Sequence, residues 1–154
     1  MVLYWWVNQT RNHKFERSVG IVAGQINKEN PNRTVYGRMN VKKMNVNDLL
    51  VCYVRGAGID YVARIIERPY EKPTPWPGSD YENETTYVAN VKYFPITPTI
   101  QQEEFLGGIQ KFGCYPKGPI TRSGGIKEGY AFVFNKDGFD FLMDLRNLSQ
   151  SNFQ

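Results

Sequence analysis

The sequence predicts an α+β fold: a compact, barrel-like domain of several strands with a few short helices. Three observations carry this. Apolar runs of strand length recur along the chain between segments rich in Gly, Pro and Asn. Only a few short stretches carry helical spacing. No segment repeats, and none has the composition of a linker, so one domain over 1–154 is expected. Hydrophobic residues make up 41% and charged residues 22%. That balance excludes a disordered, collagenous or coiled-coil chain.

Element by element, Val2–Asn8 reads as a buried strand whose adjacent Trp5 and Trp6 face opposite ways. Thr10–Lys14 reads as a polar turn. Phe15–Ala23 reads as a short helix running into an extended piece, and Gln25–Arg33 as a loop. Asn45–Asp48 is a turn before a hairpin of Leu49–Arg55 and Ile59–Ile66, joined through Gly56-Ala57-Gly58. Pro69–Glu84 holds four prolines and Trp76, which argues against regular structure. Thr86–Phe94 is a strand that Pro95 and Pro98 are expected to end. Gln101–Phe112 suits a helix, Gly113–Gly129 a loop and Tyr130–Phe134 a strand. In Asp137–Leu148 the residues Phe141, Leu142, Leu145 and Leu148 form the apolar stripe of a last helix.

Composition narrows the chemistry. No apolar run reaches the ~18 residues of a membrane helix. The opening run lacks a basic leader and a small-residue cleavage site, so a cytoplasmic location is expected, with no membrane partner. Cys52 and Cys114 are too few for a disulfide framework or a zinc site, and both read as core residues. His13 is the only histidine, and its polar surroundings mark it as a surface residue. No phosphate-binding loop, nucleophile elbow or zinc-protease motif occurs. A binding module without catalytic residues, metal or cofactor is the expectation.

Charge and aromatics suggest the partner. Residues 1–68 hold eleven Lys or Arg against five acids, whereas residues 69–154 hold eight against ten. A basic half in a chain of isoelectric point 9.0 points to a polyanion. Arg11, Lys14, Arg33, Arg38, Lys42 and Lys43 are the candidate phosphate contacts. Aromatics are 14% of the chain, several in polar settings, as in sites that stack bases while tracking phosphates.

The order of segments resembles EVE-type domains of the PUA-like superfamily, which are related to YTH domains. The likeness begins with Tyr4-Trp5-Trp6-Val7-Asn8-Gln9. It continues through Val41-Lys42-Lys43 and Asn47-Asp48-Leu49-Leu50-Val51-Cys52-Tyr53-Val54, then Ile59–Tyr70 and Val88–Tyr93 with Pro95 and Pro98. It closes on Gly129-Tyr130-Ala131-Phe132. The opening is most like the N-terminal domains of Mcr-type modification-dependent restriction GTPases.

The resemblance implies a mixed β-barrel that takes a modified, typically methylated, DNA base turned out of the strand into an aromatic pocket. It implies a role in targeting a restriction system, with an attached or separate GTPase or nuclease. Carried over residue by residue, the pocket positions are Trp6, Asn8, Val22, Tyr36, Tyr53 and Trp76. Asn8 either bonds a base edge or caps a turn. Trp76 either forms a cage wall or folds back over the barrel end. Many relatives have Trp-Ala-Pro where this chain has Val22-Ala23-Gly24, so one aromatic wall is replaced here. Two alternatives share the fold: an RNA-binding PUA-like module, and a small ASCH-type enzyme acting on a nucleobase-like substrate.

Overall fold

A computed structural model describes residues 1–26, 36–73 and 85–154. The strands are β1 (Tyr4–Asn8), β2 (Ile21–Ile26), β3 (Leu49–Val54), β4 (Gly58–Ile65), β5 (Tyr70–Pro73), β6 (Thr85–Ile100) and β7 (Ala131–Val133). The helices are α1 (His13–Val19), α2 (Gln102–Gly113) and α3 (Lys136–Asp144). Short 3-10 helices span Arg38–Lys43 and Gln150–Phe153. The strands form one mixed, curled sheet in the order β2-β6-β4-β3-β1-β7, with β5 paired to β6. The β1–β3 pair is parallel and every other pair is antiparallel.

The central strands are buried on both faces, which is why Leu49–Val54 reads as an unbroken apolar run. Alternate residues divide between two cores. Tyr4, Trp6, Leu49, Val51 and Tyr53 pack with Phe105 and Ile109 of α2 and with Phe139 and Leu142 of α3. Trp5, Val7, Leu50 and Cys52 pack inside the curl with Val22, Val41 and Ala89. The two adjacent tryptophans therefore serve opposite faces, as their spacing predicts.

Polar side chains fix the joints. Asp48 accepts the Trp5 indole N–H (3.0 Å), the Leu3 N–H (3.0 Å) and the Asn45 N–H (2.9 Å), tying the start of β1 to the turn before β3. The 3-10 helix Arg38–Lys43 packs against β2 and β7. Two glycines allow that seat. A Cβ on Gly24 would lie 2.2 Å from the Arg38 carbonyl oxygen. One on Gly37 (φ +84°) would lie 2.1 Å from that of Ala131.

The structure departs from the sequence reading at several places. Strand β6 does not stop at Pro95 but continues to Ile100. The register with β4 passes from Tyr61↔Pro95 to Ile59↔Ile100, so Ile96–Thr99 bulge out of the ladder. Pro98 lies in that bulge and so breaks no ladder bond, while Pro95 is the last paired residue before it. Tyr70–Pro73 is a strand despite its proline, since Pro73 is its last residue and β5 is bonded to β6 alone. Helix α1 begins at His13, inside the expected turn, and α3 ends at Asp144, short of Leu148. Residues 27–35 and 74–84 lie outside the described residues, and with them Arg33 and Trp76.

Candidate nucleic-acid interface

Because β1 and β3 run parallel, their C-terminal ends meet: Asn8 lies opposite Tyr53. The chain leaves both strands at the same end of the sheet. The Gln9 N–H bonds the Tyr53 carbonyl (2.8 Å), and the Thr10 hydroxyl accepts the Arg55 N–H (3.0 Å). A cleft of ≈ 330 Å³ opens here. Asn8, Thr10, Tyr53 and Gln102 line it on one side, and the segment Ile126–Tyr130 on the other.

Its charge is strongly positive, with Arg11, Arg38, Arg55 and Lys127 against Glu128. Arg11 and Arg55 are exposed, and among the described residues neither guanidinium makes a hydrogen bond or ion pair. Arg38 donates to the Gln25 carbonyl (3.4 Å). The Lys127 ammonium donates to the Tyr115 and Pro116 carbonyls (3.1 and 3.2 Å), which holds its loop. Two exposed guanidinium forks without partners among the described residues suit phosphate oxygens.

The base-pocket candidates divide. Asn8 and Tyr53 line the cleft. Trp6 does not. It is fully buried beneath the cleft, with ring centroids 5.5 Å from Tyr53 and 5.8 Å from both Phe105 and Phe134. Val22 is fully buried inside the curl, opposite Ala89 on β6. Tyr36 is exposed, with its ring 5.3 Å from Phe132. It stands beside the cleft, its carbonyl accepting the Tyr130 N–H. Of the phosphate candidates, Arg11 and Arg38 line the cleft. Lys14, Lys42 and Lys43 are exposed elsewhere, and Lys42 sits 5.4 Å over the Tyr87 ring.

Asn8 is fully committed. Its side-chain oxygen accepts the Trp6 indole N–H (2.8 Å), and its amide donates to the Lys127 and Gly129 carbonyls (3.0 Å each). Asn8 thereby fastens the far wall of the cleft to β1. Sequence reasoning missed Arg55, Gln102 and Lys127. Arg55 stands at the β3–β4 turn, and only the parallel β1–β3 pairing brings it beside Arg11.

Behind the cleft lies a buried polar network. Glu16 of α1 is fully buried and accepts the Tyr130 hydroxyl (2.5 Å), the Ala23 N–H (3.1 Å) and the Gln9 amide (3.0 Å). Burial pushes its carboxyl up to about 7, against the opposing pull of those donors. Arg17 bonds Asp60 through both terminal nitrogens (2.6 and 2.7 Å) and covers the Tyr61 ring at 4.5 Å. Burial also raises the Cys52 thiol far above its ordinary value, so Cys52 is an inert core residue. Cys114 is half-buried and free. Among the described residues no three His, Cys, Asp or Glu gather as a metal site requires, and no helix is long and apolar enough to cross a membrane.

No family model and no curated protein matches the sequence. Solved structures do. A Pseudomonas putida protein superposes with a TM-score of 0.54 at 16% identity, over 93% of this chain and 99% of its own. Human THYN1, solved in complex with 5-methylcytosine-containing DNA, gives 0.51 at 12%, over 96% and 99%. The Pho92 YTH domain, solved in complex with m6A, gives 0.53 at 11%, over 96% and 85%. The fold is PUA-like. At these identities the PUA-like architecture is what the chain shares: a curled mixed sheet with a few short helices, as the sequence resemblance implied.

Proposed function

We propose that this PUA-like chain is a non-enzymatic module that binds DNA and holds a modified base, turned out of the strand, in the cleft between the β1 and β3 ends. The observation that carries the reading is the cleft itself. It has the volume of a small-ligand site. Its rim bears two guanidinium groups free to take phosphates, and its floor is polar and rigid. Two neighbours of the same fold were solved with a methylated base or with DNA containing one, which supports the choice of ligand. In this reading the module targets a modification-dependent restriction system in the cytoplasm, alongside a GTPase or nuclease. The sequence resemblance is the support for that context.

Extruding a base costs a few kcal/mol, so the module must recover that from base contacts made only by the modified form. The test is a titration of otherwise identical duplexes carrying 5-methylcytosine, N6-methyladenine or neither, with matching RNA. A preference of ten-fold or more for one modified DNA is expected. Equal affinity across the panel removes the reading, and a preference confined to RNA replaces it with the RNA-binding one.

A further inference from the structure

The cleft contains one amide free to read a base. Gln102, at the start of α2, accepts a hydrogen bond from the Tyr53 hydroxyl on its side-chain oxygen (3.1 Å). Among the described residues its nitrogen has no hydrogen-bond partner, so the free end of the amide carries two N–H donors. Asn8, the other amide in the cleft, is spent on Trp6 and on the Lys127 and Gly129 carbonyls. Burial raises the Tyr53 phenol, which keeps it a neutral hydroxyl able to hold Gln102 in that orientation. The surroundings are cationic, with Arg11, Arg38 and Arg55 facing the same space and Glu128 as the acid.

We propose that the cleft selects a neutral base with an unmethylated ring nitrogen, read by Gln102, and rejects the cationic bases that ring-nitrogen methylation produces. This rests on the cleft being the base site. Two independent features point the same way. An N–H donor needs a lone pair, which the hydrogen-bonding edges of cytosine and adenine supply at a ring nitrogen. A methyl on carbon 5 or on the exocyclic amine leaves that lone pair in place. A methyl on the ring nitrogen replaces it and adds a positive charge, which the surrounding guanidinium groups repel. The modification and the recognised edge are therefore on different atoms of the base.

The test places 5-methylcytosine, 3-methylcytosine, N6-methyladenine, 1-methyladenine and the two unmodified bases opposite an abasic site in one duplex. No base pair is then broken on extrusion. Fluorescence anisotropy with the whole chain should show the preferred neutral methylated base binding at least ten-fold tighter than the cationic methylated form of the same parent base. Gln102→Glu supplies an acceptor and a negative charge where the donor stood, and should narrow that ratio at least ten-fold. If wild type distinguishes methylated from unmethylated bases yet binds the cationic form equally, the inference fails while the base-reading function stands. An unchanged ratio in Gln102→Glu has the same meaning. If no methylation alters affinity, both fail.

Discussion

Asn8 shows how one side chain can decide whether a site exists. Its three hydrogen bonds hold the Trp6 indole and two carbonyls of the cleft wall. Asn8→Ala leaves a buried indole N–H without an acceptor, which costs about 1–3 kcal/mol. It also releases the Lys127–Gly129 segment. The expected result is a lower melting temperature together with weaker binding to modified and unmodified DNA alike. Glu16 makes a second prediction at this scale. Its carboxyl is raised from 4.5 to about 7 in the folded protein, so folding favours the neutral form. The stability this contributes is complete below about pH 4.5 and is lost as pH rises through about 7, a loss of about 3 kcal/mol. Chemical denaturation between pH 4.5 and 8 should show that decline, and Glu16→Gln should flatten it. A wild-type profile that rises over this range would contradict the assignment.

At the scale of elements, the sheet depends on how closely the 3-10 helix Arg38–Lys43 approaches β2. Gly24→Ala would put a methyl group 2.2 Å from the Arg38 carbonyl oxygen, and backbone on both sides leaves nowhere to move cheaply. A loss of about 1–3 kcal/mol is expected, with weaker binding because Arg38 belongs to the same helix. Thermal melts with a matched DNA titration check both. The elements also show what the sequence made legible. Apolar runs located β1 and β3, because burial on both faces demands unbroken hydrophobicity, and the glycine turn after β3 located β4 as its hairpin partner. Proline misled where pairing decides its cost. Ile96–Thr99 make no ladder bonds with β4, and Pro73 ends its strand, so neither case violates the chemistry that made proline look like a stop. The cleft was only partly legible. Asn8, Tyr53, Arg11 and Arg38 could be named from local pattern and resemblance. Arg55 and Gln102 could not, since they reach the cleft only through strand pairing and helix placement distant in sequence. Trp6 and Val22 looked available because a motif does not reveal burial, yet both are core residues.

For the whole molecule, the basic half of the sequence supplies Arg11, Arg38 and Arg55 to the cleft. If Arg11, Arg38 and Arg55 each neutralise a phosphate, affinity should fall with salt with a log–log slope of about −2.7. Arg11→Ala combined with Arg55→Ala should reduce that slope by about 1.8. Both sites are exposed, so the fold should be unaffected. Non-specific attraction would show the same wild-type slope, so salt dependence alone speaks to the polyanion and not to the base. The central claim is that a base occupies the cleft. Two-dimensional ¹H–¹⁵N NMR of the labelled chain, titrated with the preferred modified duplex and then with its unmodified counterpart, tests this most directly. The account predicts that the largest shifts specific to the modified duplex fall on the Gln102 side-chain amide, Thr10, Arg55 and Gly129. Modification-specific shifts that spare these four and gather elsewhere on the molecule would contradict it.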